Sequence, residues 1–348
     1  MSFKSDINNY RRRIMRNITK NIGHMYSEPK KGDISVSEIK RVLIIRPNHR
    51  LGNQLLLTPL VQEVINTFEN CKIDLFVKGG VAHPVFKNYS QVNKIIKLPK
   101  KPFNNLFQYA KSWISIKQKR YDLVINGDKN SSSGRLLTQM AKAKIKVFGD
   151  VHEDIQKTYT DHEHISKYPI YNLRHYLSHL GLSDNNKTMP VLDIKLNNTE
   201  IENGKKILNS IIKNEKETIC IYTNATGYKC YSEDWWNIFY SRLKVQYPNY
   251  NIIEMLPIEN TSQINFKAPS FYSQDLREMG AIICNTSIFI AADNGVMHLA
   301  SATLTPCVGF FSVTNPNIYG PYGNGSVALH TNNTNLDDWI KVIDKILK

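Results

Sequence analysis

No stretch of this 348-residue chain reaches the roughly 18 uninterrupted apolar residues expected of a membrane-crossing helix. The first residues hold no apolar h-region, so no secretory signal is expected. Cysteine is sparse. Cys71, Cys220, Cys230, Cys284 and Cys307 are odd in number, scattered, and never form C-x-x-C, which argues against a disulfide framework or a structural zinc site. They read as small buried apolar residues in a reducing compartment. A G-x-G-x-x-G fingerprint, a P-loop and a G-x-S-x-G elbow are all missing. His152, His162 and His164 lie near acidic residues, but their spacing matches no standard zinc site. Acidic residues are the minority charge, 30 against 45 Lys and Arg, leaving a net +15. That balance favours an anionic partner: a phosphorylated substrate, an anionic membrane surface or nucleic acid. No recognised nucleic-acid motif supports the last of these.

Hydrophobic residues make up 41% of the chain, enough for a large core at this length, and the length suggests about two domains. The first forty residues stand apart. Ile7, Tyr10, Ile14, Ile18, Ile22 and Met25 fall on one helical stripe, with Arg12, Arg13, Arg16 and Lys20 on the other side. Such a helix lies on an anionic membrane, packs on its own protein with its arginines solvated, or serves as a targeting peptide or nucleic-acid arm.

From residue 41 onward, short apolar runs alternate with helical patterns, as in parallel α/β architecture. Strands are expected at 41–46, 72–77, 94–98 and 121–126, with one helix over 54–68 and another to about residue 143. Polar residues 183–190 mark a domain boundary. The pattern then restarts, with strands at 218–222, 251–255, 288–292 and 307–311 and a closing helix at 336–347. The expected domains are a basic extension (1–40), an N-terminal Rossmann-like domain (41–185), a C-terminal one (190–330) and a terminal helix (335–348). Ligands of such sheets bind at the carboxyl ends of strands, so a cleft between the halves is the expected site.

Three segments carry candidate chemistry. Asp293-Asn294-Gly295-Val296-Met297-His298 turns a strand into a helix, and a helix start offers N–H groups to an anion. The plainer reading makes Asp293 an ordinary helix cap. The loops Thr314-Asn315-Pro316 and Gly320-Pro321-Tyr322-Gly323 could close over a ligand. Lys229, just ahead of a helix capped by Ser232, could reach a phosphate. The loop from Arg46 to Asn53, holding His49 and Arg50, follows the first strand.

In order, Arg46 to Pro59, Lys229 to Trp236 and Asp293 to Ala300 resemble the motifs of glycosyltransferase family nine, the heptosyltransferases of lipopolysaccharide core synthesis and their relatives. The resemblance spans about residues 41–325. It implies a GT-B fold, with two Rossmann-like domains facing a central cleft. It also implies inverting, metal-independent transfer of a sugar from a nucleotide-diphosphate donor, with no other cofactor; ADP-heptose is the family's best-known donor. Lys229 would contact the diphosphate or sugar, and Asp293, Gly295, Met297 and His298 would form the phosphate-side loop, with Thr226 and Asn294 nearby. Glu254 or Glu259 would accept from ribose hydroxyls. Arg46, Arg50 and Gly52 would lie on the acceptor side. The acceptor implied is a lipopolysaccharide-type or other lipid-linked glycan on the cytoplasmic face of a bacterial inner membrane, with the protein peripheral there. One position departs from the pattern: the family usually places an Asp general base where this chain has Asn53. A neutral amide cannot take the acceptor proton. Either His49 or Asp128 is the base, or Asn53 only orients the acceptor, or the chain binds nucleotide-sugar or glycan without turnover.

Overall fold

The computed structural model describes residues 13, 14, 17, 19 and 22, then 35–99, 106–182 and 187–348. Most of the amphipathic stripe therefore lies outside the described residues. Of that stretch, Thr19 is buried and the Ile22 carbonyl accepts from Arg135 Nη1 at 3.1 Å, so this part packs against the protein.

The chain divides into two compact units. The first runs up to His49 and adds Pro59–His83 and Tyr89–Pro190; the second takes Arg50–Thr58, Pro84–Asn88 and Val191–Lys348. Two short pieces of the N-terminal half thus belong to the C-terminal unit.

The first unit holds a parallel sheet of β1 (Arg41–Arg46), β2 (Lys72–Lys78), β3 (Val92–Leu98), β4 (Arg120–Asn126) and β5 (Lys142–Val147), in the order β3-β2-β1-β4-β5. The central strands β1 and β4 are buried almost throughout, as their continuous apolar runs require. Strand β5 was not expected. Its Lys-Ala-Lys-Ile-Lys-Val sequence alternates, and lysines along one face suit a sheet edge. Glu63 and Arg174 form a buried bidentate pair, 2.8 Å on both arms, and the same guanidinium holds the carbonyls of Lys187 and Thr188.

One expected helix is two. Helix α1 (Leu51–Leu55) ends and α2 (Thr58–Thr67) begins after a two-residue break. Pro59 has no N–H and suits a first helical turn rather than a helix interior, and Thr58 Oγ1 donates to the Leu55 carbonyl at 2.8 Å. The break leaves α1 free to join the second unit while α2 stays mainly with the first.

The second unit's sheet is β6 (Thr218–Tyr222), β7 (Asn251–Met255), β8 (Ser270–Phe271), β9 (Ile288–Ala292), β10 (Cys307–Phe311) and β11 (Val327–His330), all parallel, ordered β11-β10-β9-β6-β7-β8. This is the doubly wound order, with its switch point between β6 and β9. The core beside it is aromatic. Trp236, Phe239 and Phe310 are fully buried, and Trp339 of the closing helix (Leu336–Leu347) joins them, ring centroids 5.1 Å from Phe310. All five cysteines are free thiols. Among the described residues no helix is long and apolar enough to cross a membrane.

Candidate active site

Ligands of open parallel α/β sheets bind outside the carboxyl ends of the strands at the switch point, here β6 and β9, and the chemistry of the second unit gathers there. After β6 the chain turns through Gly227, whose φ of +62° is the left-handed region that glycine adopts without cost, into a single 3₁₀ turn ending at Lys229. Ser232 then caps the helix Glu233–Gln246 by accepting from Trp235 N. After β9 comes Asp293, whose N–H is held by the Phe310 carbonyl at 2.9 Å. Lys229 Nζ meets Asp293 Oδ2 at 2.5 Å, and Thr314 Oγ1, from the loop after β10, donates to the same oxygen. The Asp293 side chain is 7% exposed and that of Lys229 is 31% exposed. A buried carboxylate therefore fixes an ammonium whose far side faces solvent. Residues 64 positions apart in sequence converge at the switch point.

The helix that follows, Gly295–Ala302, is capped by Asn294, not Asp293. Asn294 Oδ1 accepts from Val296 N at 2.8 Å and Met297 N at 2.9 Å, while Nδ2 donates to the carbonyls of Ala292 and Asn224. Two of the N–H groups expected to face an anion are thus taken by the chain's own side chain. The positive end of the helix dipole remains beside Lys229.

Helix α1 packs against this helix inside the second unit. A Cβ placed on Gly52 would lie 2.8 Å from His298 Cδ2 and 3.5 Å from Gly295 Cα, and one on Gly295 would lie 3.3 Å from Gly52 N. Gly52 thereby lets two backbones meet. His298 is 4% exposed, and Asn53 is half-buried one residue along α1. Gly52→Ala is expected to force the His298 ring aside and lower stability by about 1–3 kcal/mol. Calorimetric unfolding checks this; an unchanged transition would show that the ring yields without cost.

Several expected site residues are placed otherwise. Met297 is fully buried, its Sδ against Gly309 of β10, so it is core and not phosphate loop. Glu254 lies inside β7 with no exposure; Thr223 Oγ1 and Ser262 Oγ donate to its two oxygens at 2.6 Å each. Burial raises its pKa, opposed by those two hydroxyls. It organises the turns after β6 and β7 and cannot meet a ribose directly. Glu259 is exposed. Arg46 is fully buried, with Nη1 donating to the carbonyls of Gly127 at 3.2 Å and Ile165 at 3.5 Å. It fills the carboxyl ends of β1 and β4 structurally rather than binding acceptor. The Gly320-Pro321 loop is buried under the Gly295–Ala302 helix, with Ser301 Oγ donating to the Tyr322 carbonyl, so it is anchored. Thr226, His49 and Arg50 are exposed, and Asp128 is half-buried, accepting from Asn130 N at 3.0 Å. The three histidines singled out in sequence separate. His162 Nδ1 bonds the Tyr159 carbonyl at 2.8 Å, and His164 Nδ1 accepts from Ser166 N at 3.3 Å.

Sequence reasoning passed over Arg277. Its guanidinium grips Glu200 with both arms, Nε–Oε1 at 2.6 Å and Nη2–Oε2 at 2.7 Å. It also donates to the carbonyls of Pro84, Ile194 and Lys195. It thus ties Pro84–Asn88 into the second unit. A lone arginine carries no spacing signal. The Asn197–Glu200 capping box ahead of the helix Asn198–Ile212 was the available clue.

The two parallel-sheet α/β units match the fold of GT-B-type glycosyltransferase structures. Residues 273–341 match the model of glycosyltransferase family 9 (heptosyltransferase), and this segment contains Asp293, Gly295 and His298. The chain's resemblance is therefore to that family. Among solved structures, the glycosyl transferase family 9 protein of Veillonella parvula DSM 2008 superposes with a TM-score of 0.69 at 16% identity, over 88% of this chain and 97% of that one. The E. coli heptosyltransferase WaaC with ADP gives 0.64 at 15% identity, covering 88% and 99%. The E. coli ADP-heptose lps heptosyltransferase II gives 0.62 at 14%, covering 88% and 98%. No curated protein sequence matches. These neighbours share the fold of the chain, and the family match over residues 273–341 is what points toward glycosyltransferase chemistry.

Proposed function

We propose that this protein is an inverting glycosyltransferase that moves a sugar, heptose in the first instance, from a nucleoside-diphosphate donor to a lipid-linked glycan of lipopolysaccharide type. The observation that carries the reading is the Lys229–Asp293 pair at the switch point of the second sheet. When the acceptor oxygen bonds to the anomeric carbon, the bond to the diphosphate breaks and charge grows on the departing phosphate. Lys229 and the positive end of the Gly295–Ala302 helix meet that charge, so the leaving group needs no metal ion. His298 and Asn53 lie on the packed helices beside the pair. ADP-heptose is the first donor to test, because a fold neighbour is described with ADP and again with ADP-2-deoxy-2-fluoro heptose. The excess positive charge suits an acceptor bearing phosphates or acidic sugars at an anionic membrane face, with the basic N-terminal segment as the contact.

The proton leaves the acceptor for a group other than Asn53; His49 and Asp128 are the candidates. In a transfer assay followed by mass spectrometry of the glycolipid, either His49→Ala or Asp128→Asn is expected to lower kcat about 10²–10⁴-fold. Asn53→Asp should change it less than about tenfold. A large gain with Asn53→Asp would show that the carboxylate is missing and that the natural chain binds without efficient turnover. No transfer from any nucleotide sugar would overturn the enzyme reading itself.

A further inference from the structure

A second chemical cluster lies in the first unit, far in sequence from the motif residues. Helix Glu153–Thr158 begins at His152, whose Nδ1 accepts from Asp154 N at 3.3 Å. Histidine is a poor choice for this position, which favours Ser, Thr, Asp or Asn. His175 and His179 stand one turn apart near the end of the helix Tyr168–His179, so both rings share a face. The His152 ring stacks on His175 with centroids 4.7 Å apart, and His179 follows at 4.4 Å from His175. Three imidazoles and the Asp154 carboxylate thus converge from two helices.

We propose that His152, Asp154 and His175 form a binding site for a divalent cation of the zinc class. Ligand atoms from these three side chains lie within 4.8 Å of one another. His152 Nδ1 and Asp154 Oδ2 are 3.2 Å apart, close to the roughly 3.3 Å that separates two ligand atoms on one tetrahedral zinc, and an ion bound at this Nδ1 would replace its long 3.3 Å hydrogen bond from Asp154 N. Two imidazole nitrogens and one carboxylate oxygen suit zinc, cobalt or nickel rather than calcium or magnesium. The Nδ1 of His179 donates to the His175 carbonyl at 2.9 Å, which fixes this third ring beside the cluster. A cavity of about 130 Å³ opens beside Asp154 and His175, lined also by Tyr159, Tyr171 and Arg174, and provides an entry path. A bound ion would join the start of a six-residue helix to the end of its longer neighbour, acting as a staple in the first unit. This site is independent of the nucleotide chemistry proposed for the second.

The test is titration of the full chain, freed of metal with a chelator, with Co²⁺ and separately Zn²⁺. The expected result is one equivalent of Co²⁺ taken up with the visible absorption of a four-coordinate ion, displaced by Zn²⁺. His152→Asn keeps a good helix cap while removing the imidazole, so the fold should survive with unchanged circular dichroism. Uptake should nonetheless weaken about 100-fold, and His175→Gln should do the same. Absence of saturable uptake, or equal uptake by the His152→Asn/His175→Gln double variant, would overturn the proposal.

Discussion

Arg277→Ala is expected to destabilise the second unit by about 3–5 kcal/mol, the usual cost of removing one partner from a buried ion pair. The Arg277 side chain is 5% exposed and that of Glu200 is 17% exposed, so solvent screens the pair only weakly. Truncation leaves Glu200 facing a vacated site and strips a donor from three backbone carbonyls at once. It also releases Pro84–Asn88, which the rest of the unit holds through Arg277 and through Asn88 Nδ2 on the Lys195 carbonyl at 2.6 Å and on Glu200. Lys87, 54% exposed, cannot replace the guanidinium on Glu200. The same pair sets a pH dependence. The Arg277 fork, with the Asn197 N–H, lowers the Glu200 pKa from 4.5 to about 2. A carboxyl depressed in the folded state contributes stability that is full above its unfolded value. That contribution is lost as pH falls from about 4.5 toward about 2. Urea denaturation across that window should show a wild-type midpoint that falls with acid and a Glu200→Gln midpoint that falls less. Equal midpoints for wild type and Arg277→Ala would remove the clamp from the account.

Lys229→Ala is expected to lower the transfer rate about 10²–10³-fold, the range seen when one donor to a developing oxyanion is removed. The substitution also strands Asp293, a buried carboxylate that would keep, among the described residues, only Thr314 as a side-chain donor. A loss of stability therefore accompanies the loss of activity, and the two must be separated. Adding Asp293→Asn removes the stranded charge. The double variant should regain most of the stability and none of the activity, because the ammonium facing the diphosphate is still gone. Full recovery of turnover in the double variant would mean that Lys229 only neutralises Asp293.

What the sequence made legible follows from how each signal arises. Buried parallel strands are continuous apolar runs, and Thr218–Tyr222, Asn251–Met255, Ile288–Ala292 and Cys307–Phe311 lie where their runs place them. Edge strand β5 was hidden because its lysines alternate with apolar residues. The helix Asn198–Ile212 was hidden because its exposed face is long and polar. Motif spacing singled out Lys229 and Asp293, which the structure brings together, but could not say which way each side chain points. On the Gly295–Ala302 helix, His298 turns toward α1 while its neighbour Met297 turns into β10. The motif treats them alike; only packing separates them. Glu254 misled for a related reason, since an acidic residue in a strand end reads the same whether it faces ligand or two hydroxyls. The membership of α1 in the second unit had no local signal, because it depends on Gly52 admitting the His298 ring.

The most direct measurement is a calorimetric titration of ADP, GDP, UDP and CDP into the wild-type chain and into the Lys229→Ala/Asp293→Asn double variant. The account expects one of these diphosphates to bind the wild type at one equivalent, and to bind the double variant at least about tenfold more weakly, since a charge-assisted contact is worth about 1.5–3 kcal/mol. Equal affinity for both proteins, or no binding of any of the four to the wild type, would contradict a nucleotide site built on the Lys229–Asp293 pair.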